Sequence, residues 1–213
     1  MAKDFSLQTK DWENDCILTR RNFWLRKRRL QMFGFSSNDR ILDLGCGDGL
    51  NIQILRLMGM TQITGIDISR PLLETAKKHN PGIRFVLGSV EKLPFTDNSF
   101  SVVLIDSVFH HLVHIPKSLR EIRRILTQNG VICFVDMHNS WKRDLINMLT
   151  LSPVSLAIPF FRGRKKAYLA EQKRITYWLV HEQEFLHLME NEGFNKVFLK
   201  EDLFSIVGKY VKK

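Results

Sequence analysis

Cysteine is scarce: the 213 residues hold three, Cys16, Cys46 and Cys133, far apart along the chain. That number, with no Cys-x-x-Cys spacing, argues against both a disulfide scaffold and a cysteine metal site. Proline (6) and glycine (12) are also few and form no repeat, while phenylalanine reaches 15, so collagen-like, low-complexity and disordered chains are excluded. No apolar run reaches the roughly 18–20 residues that a membrane-spanning helix needs. The longest candidate, Met148–Phe161, is interrupted by Pro153 and Pro159. The opening Met-Ala-Lys-Asp-Phe-Ser is polar and mixed in charge, unlike a secretory leader. These absences predict one globular domain over residues 1–213, working in the cytoplasm.

Acid is short relative to base, with 22 Asp and Glu against 32 Lys and Arg and a net charge of +10. The excess is local. Residues 1–40 carry 9 basic against 5 acidic side chains and residues 139–180 carry 8 against 2, whereas 41–138 are nearly balanced at 10 against 9. Two clusters stand out, Arg20-Arg21 with Arg26-Lys27-Arg28-Arg29, and Arg162-Gly163-Arg164-Lys165-Lys166. Either cluster alone is explained by a solvated basic face; both together suit phosphate groups of nucleic acid, anionic lipid or a small substrate.

The pattern along the chain alternates strand and helix. Asp11–Phe33 reads as an amphipathic helix within an N-terminal arm, residues 1–38. Strands follow at Arg40–Leu44, Gln62–Ile66, Ile83–Leu87, Ser101–Ile105 and Val131–Asp136. Helices lie between them at Asn51–Met58, Ser69–His79 and Pro116–Leu126, with Ser69 as a cap and Pro116 in a first turn. Asn129-Gly130 reads as the turn into the fifth strand. Strands apolar on both faces predict a Rossmann-like, doubly wound α/β sheet, mostly parallel. A helical cap insertion is expected at 139–176, then a helix at His181–Glu192 stopped by Gly193. Asn195–Lys200 and Leu203–Tyr210 are too close for a crossover helix, which makes the last strand antiparallel.

The most informative run is Ile41-Leu42-Asp43-Leu44-Gly45-Cys46-Gly47-Asp48-Gly49. A strand, a Gly-x-Gly-x-Gly loop and a helix bring a ligand against bare backbone at a switch point of the sheet. With this loop, the chain from about Arg40 to Asp136 resembles the class I S-adenosylmethionine-dependent methyltransferases, in particular their small-molecule branch. Further matches are Gly65-Ile66-Asp67-Ile68-Ser69, the loop Gly88-Ser89-Val90-Glu91-Lys92-Leu93-Pro94-Phe95, the strand Ser99–Val103 leading to His110-His111-Leu112, and Glu121–Leu126 before Asn129-Gly130. The resemblance implies S-adenosylmethionine as cofactor. Gly45, Cys46 and Gly47 would pass beneath it, Asp43 would meet its ammonium, Asp67 its ribose hydroxyls, and Ile68, Ser89 and Val90 would lie on the adenine side. Asp106, first after the fourth strand, would stand beside it. Ser89 departs from the Asp common in the family, and Asn129-Gly130 from its Gly-Gly.

Methyl transfer from a sulfonium is an in-line displacement, so the protein must align the acceptor and exclude water. A base helps when the acceptor is a hydroxyl or an acidic carbon. His111 is the expected base or orienter, with His110 beside it; backbone hydrogen bonding within the loop is the plainer role for both. Asp136 and His138 form a second polar pair expected to face the same cavity. The seven histidines show no metal-ligand spacing. The fourth strand exits as Ile105-Asp106-Ser107-Val108-Phe109, without the Pro-Pro-aromatic signature of amino-group methylation on bases or glutamine. Apolar residues Leu145, Met148, Leu149, Leu151, Leu156, Ile158, Phe160 and Phe161 beside Arg162–Lys166 suit an amphiphilic acceptor, or an anionic membrane surface that collects one. The expected activity is O- or C-methylation of a small amphiphilic or aromatic acceptor. The alternatives are a tRNA or rRNA methyltransferase, with nucleic acid as partner, and a catalytically silent cofactor-binding subunit.

Overall fold

The computed structural model describes residues 23–153, 159–202 and 205–213. In chain order its elements are α1 (Phe23–Gln31), β1 (Arg40–Leu44), α2 (Leu50–Leu57), β2 (Gln62–Asp67), α3 (Arg70–His79), β3 (Arg84–Leu87), β4 (Phe100–Asp106), α4 (Ile115–Ile125), β5 (Leu126–Met137), α5 (Trp141–Leu151), α6 (Pro159–Asn191), β6 (Phe194–Glu201) and β7 (Ser205–Lys212). Among the described residues the sheet has the order β3-β2-β1-β4-β5-β7-β6. Strands β1 to β5 run parallel, and β7 is antiparallel to both β5 and β6.

The central strands are apolar on both faces because helices cover both. Leu42, Leu44, Val103, Ile105, Ile132 and Phe134 pack with Leu119 and Ile122 of α4 and Trp178, Phe185 and Met189 of α6. Their neighbours Ile41, Val102, Leu104, Cys133 and Val135 point the other way, against Leu30 of α1, Ile52, Ile54 and Leu55 of α2, and Leu73 of α3. This alternation is the two-residue strand period expressed in a sheet with no wet face. Helix starts follow local chemistry: Ser69 Oγ accepts the Leu72 amide at the head of α3, and Ser140 Oγ accepts the Arg143 amide at the head of α5.

Two expectations need correction. Residues Asn129-Gly130 do not separate a turn from a strand, since β5 begins at Leu126 directly after α4. Its pairing with β4 jumps from Phe100↔Leu126 to Val102↔Val131, and Asn129 takes a positive φ of 61° inside that irregularity. The helix expected at His181–Glu192 is only the end of α6, which runs on unbroken from Pro159 and so crosses the expected cap boundary at 176. The helix expected over Asp11–Phe33 is described only from Phe23 onward. Cys16, Arg20, Arg21, Leu156, Ile158 and Leu203 lie outside the described residues.

The strand order reverses between β1 and β4. Open α/β sheets leave a crevice at such a point, beyond the carboxyl ends of the strands. Here the crevice receives the loop 45–49 from β1 and the segment 106–111 from β4.

Candidate active site

Asp43 ends up beneath the crevice because β1 is fully enclosed, and it is 0% exposed. Its Oδ1 accepts a long bond from Asn51 Nδ2 at 3.5 Å, and its buried Oδ2 has no hydrogen-bond partner among the described residues. Burial, then the neighbouring Asp106, pushes its carboxyl up to about 7. An enclosed carboxylate oxygen with nothing to accept is costly unless a cation or a donor meets it.

The glycine loop is shaped by backbone conformation and by close packing. Gly45, Gly47 and Gly49 all have positive φ, and a Cβ on Gly45 would stand 2.4 Å from Val108 Cγ2. The Gly47 amide donates to Asp67 Oδ2 and the Ser69 amide to Asp67 Oδ1, each at 2.8 Å. Asp67 thus braces the loop. Each of its oxygens keeps a second lone pair for an incoming hydroxyl. Its pKa is raised by burial and drawn back by those amides. Ile68, the next residue, is 44% exposed, an apolar side chain presented at the crevice. Cys46 packs toward Gly65 as a small filler, and burial pushes its thiol up, so it is no thiolate nucleophile.

Ser89 and Val90 follow β3 in a tight loop, where Ser89 Oγ accepts the Glu91 amide. Two side chains of α4 hold the chain that follows. Glu121 accepts the Leu93 amide, and Arg124 donates to the carbonyls of Leu93 and Phe95 and to Asp97. This explains the Glu121–Arg124 run as a tether of the loop after β3.

On the β4 side, Ser107 takes a φ of 61°, a conformation that costs energy for a residue with a side chain. Asp106 Oδ2 pairs with Arg26 Nη1 of α1 at 3.0 Å, and the same Nη1 donates to Asn51 Oδ1 at 3.1 Å. Sequence reading passed over Arg26 and Asn51, because these contacts span 80 and 25 residues. Arg29 also turns inward, to Asp202 and Ser205. Two of the four bases in Arg26–Arg29 are therefore held in ion pairs within the protein.

The two histidines sit in a short 3-10 turn, Phe109–His111. Phe109 anchors it, fully buried against Phe134, Trp178 and Phe185. His110 Nδ1 lies 2.6 Å from Asp136 Oδ1, and Asp136 Oδ2 accepts the Phe109 amide. The His111 ring lies tilted against that of His110 with centroids 4.0 Å apart, and burial, reinforced by His110 and Arg174, holds its pKa well below the ordinary value. His110 lines a small cleft of about 70 Å³ together with Leu112, Ile115, Tyr177, Trp178 and His181.

The expected pairing of Asp136 with His138 is not found. β5 ends at Met137, and His138 turns away to Glu182 Oε1 at 2.9 Å and Glu201 Oε2 at 3.5 Å. These three bring ligand atoms within 4.8 Å of one another, a grouping the sequence spacing did not reveal. Both oxygens of Glu182 are already accepting, from His138 and from the Asn139 amide.

The crevice fits S-adenosylmethionine: an unpartnered buried carboxylate oxygen for an ammonium, a second carboxylate with open lone pairs for a diol, and an exposed apolar residue beside it. Comparison with known proteins agrees. Residues 42–134 match the model of a methyltransferase domain. The chain is 34% identical over 139 residues to a 2-phytyl-1,4-naphthoquinone methyltransferase of Trichormus variabilis, covering 62% of this chain and 59% of the relative. It is 27% identical over 191 residues to a demethylmenaquinone methyltransferase of Thermotoga maritima, covering 87% and 82%. The match therefore spans less than two thirds of the naphthoquinone enzyme's own length. A solved S-adenosylmethionine-dependent methyltransferase from Aquifex aeolicus shares the fold with a TM-score of 0.65 at 18% identity, covering 88% of this chain and 89% of that one. Residues 42–134 are thus similar to a methyltransferase domain, on a fold shared with solved S-adenosylmethionine-dependent methyltransferases.

Proposed function

We propose that the protein methylates a small amphiphilic or aromatic acceptor, on oxygen or on an acidic carbon, at the crevice between β1 and β4. The observation that carries this reading is His110, oriented by Asp136 on the wall of an aromatic cleft. S-adenosylmethionine supplies an electrophilic methyl group on a sulfonium. Asp43 and Asp67 would hold its amino-acid end and its ribose, and Ile68, Ser89 and Val90 would flank its adenine. Where Asp136 accepts the Nδ1 proton of His110, Nε2 is the ring's proton acceptor. A hydroxyl or acidic carbon losing its proton to Nε2 becomes the nucleophile, and the resulting imidazolium stays balanced by Asp136. The Phe109, Trp178 and Phe185 cluster behind the turn fixes this geometry and keeps water out.

The acceptor class is supported by the relatives, whose names place them on a phytylated naphthoquinone and on demethylmenaquinone. In the same reading the protein works in the cytoplasm and meets its acceptor at an anionic membrane surface. No helix of the described residues is long and apolar enough to cross a membrane. α1 exposes Trp24 and Leu25 beside Arg28, and α5 exposes Leu145, Met148 and Leu151, the mixture of apolar and basic side chains that suits an interface.

The net charge of +10 favours a second reading, methylation of tRNA or rRNA. One experiment separates the two. The protein is incubated with methyl-labelled cofactor and a cell extract, which is then divided into RNA, protein, organic-soluble and aqueous pools. Nuclease-resistant label in the organic pool is the expected result. Nuclease-sensitive label in the RNA pool, with activity falling steeply with salt, would install the second reading instead.

A further inference from the structure

The ends of β5 and β6 and the later part of α6 bring together a cluster that methyl transfer leaves unused: His138, Glu182 and Glu201. His138 follows β5, Glu182 lies on α6, and Glu201 closes β6. Three tethers hold the frame around them. Trp178 Nε1 donates to the Met137 carbonyl, Asn139 Nδ2 to the Leu179 carbonyl, and Arg143 Nε to the His138 carbonyl. Glu182 is 2% exposed, and its oxygens meet His138 Nδ1 and the Asn139 amide. Among the described residues neither glutamate forms an ion pair with a lysine or arginine. Two carboxylates converging on one imidazole, one of them buried, need a cation close by.

The two ring nitrogens of His138 are used differently. Nδ1 lies 2.9 Å from Glu182 Oε1, an ordinary hydrogen bond. Nε2 lies 3.5 Å from Glu201 Oε2, too long for a strong one. That longer separation suits another arrangement. Two ligand atoms bound tetrahedrally to one ion at about 2.0–2.1 Å stand about 3.4 Å apart. A metal-bound imidazole also commonly donates its other N–H to a carboxylate, which fixes the ring. Glu182 stands where that carboxylate is required, and the Asn139 amide holds its second oxygen. The Glu201 side chain is 48% exposed, which gives an ion a way in and leaves its remaining positions to water.

We propose that His138 Nε2 and Glu201 bind a divalent cation of the zinc type, with Glu182 as the positioning residue that orients the imidazole. A ligand set of nitrogen and oxygen favours zinc or a neighbouring transition ion over magnesium and calcium, which take oxygen alone. The ion balances the two carboxylates and ties the exit of β5 to α6 and β6. None of its residues belongs to the loop 43–49, to Asp67 or to the Phe109–His111 turn, so the proposal stands apart from the cofactor reading.

The test is titration calorimetry of zinc(II) into protein first freed of metal by a chelator, with wild type, His138→Ala, Glu201→Gln and Glu182→Gln. Thermal unfolding with and without the ion accompanies it. Wild type should bind one equivalent and unfold at a higher temperature in its presence. His138→Ala and Glu201→Gln should weaken binding by at least about tenfold and remove the thermal shift. Glu182→Gln should weaken it about 10- to 100-fold, as expected for a carboxylate that orients a ligand. Cobalt(II) in place of zinc should give a visible absorption band in wild type that His138→Ala loses. Because Glu201 is half exposed, its variant keeps the test valid if a buried one misfolds. No binding by wild type, or equal binding by wild type and Glu201→Gln, would overturn the proposal and leave His138 a clasp between two glutamates.

Discussion

Asp136 holds His110 Nδ1 at 2.6 Å with one carboxylate oxygen and the Phe109 amide at 3.0 Å with the other. A carboxylate 2% exposed at the end of the fifth strand thus ties the 3-10 turn to β5 through both the Phe109 backbone and the His110 ring. The two adjacent histidines, which sequence alone left together, therefore have different surroundings.

The first prediction concerns that separation. His110→Ala, and Asp136→Asn with its amide in place of the carboxylate, should each lower turnover about 100-fold. Cofactor affinity should stay within about twofold, because neither residue belongs to the loop 43–49 or to Asp67. His111→Ala should cost less, since burial keeps that imidazole neutral and poorly basic. Turnover of labelled cofactor into the organic pool and calorimetric Kd values check both halves. A larger loss for His111→Ala than for His110→Ala would return the base to His111.

Asp43 should make cofactor binding depend on pH. Its carboxyl is raised from 3.8 to about 7 in the protein without ligand, so it is largely protonated at pH 6. An ammonium against it favours the ionised form, and binding must then release a proton. Affinity is expected to rise with pH up to about 7 and to level off above it. For the free protein the sign is opposite. A carboxyl raised on folding stabilises the fold below its unfolded pKa, and that contribution is lost as pH rises through about 7. Calorimetry at pH 6 in two buffers of different ionisation enthalpy measures the released proton directly. Asp43→Asn should abolish the release and flatten the pH profile.

Asp67 braces the glycine loop and, in the proposed site, holds the ribose, so its replacement should show both effects. Asp67→Ala should weaken cofactor binding about 10- to 100-fold, the loss expected for hydrogen bonds to a charged group. It should also destabilise the fold by about 1–3 kcal/mol, because the Gly47 and Ser69 amides lose their acceptor. Urea unfolding separates the second effect from the first. Unchanged cofactor affinity would remove Asp67 from the ribose and leave it a brace for the glycine loop.

What the sequence made legible was what depends on neighbours in the chain. β1 and β4 announce themselves as short unbroken apolar runs, Ser69 as a cap two residues beyond an acid, and the glycine loop by its spacing. What it hid depends on distant contacts or on where a strand stops. Asp136 and His138 are two apart, which on a continuing strand places them on one face. The strand ends at Met137, so His138 swings to α6 and Asp136 is left to His110. Arg26 reads as one base in a run of four, and only the approach of α1 to Asn51 and Asp106 distinguishes it. Gly163 lies within the part of α6 that the sequence read as a helical cap ending at 176, separate from the helix after it; a glycine weakens a helix without breaking it.

Two glycines with nearly the same backbone test how far packing, beyond conformation, dictates the loop. Gly49 has φ +81° and Gly59 φ +88°, so alanine is strained at both. A Cβ at Gly59 meets nothing within 4 Å, while one at Gly49 would stand 2.5 Å from Asn80 Nδ2 and 3.1 Å from Ala76 Cβ. Asn80 cannot easily yield, because its Nδ2 donates to both the Gly49 and the Ala76 carbonyls. Gly59→Ala should therefore cost about 1–2 kcal/mol, the left-handed penalty alone. Gly49→Ala should cost about 2–4 kcal/mol, as overpacking is added to it. It should also weaken cofactor binding, because the clash displaces the turn that carries Gly47. Urea unfolding of the two variants side by side measures the difference. Equal costs would mean that α3 gives way freely, and that the close packing of Gly49 contributes nothing to the shape of the site.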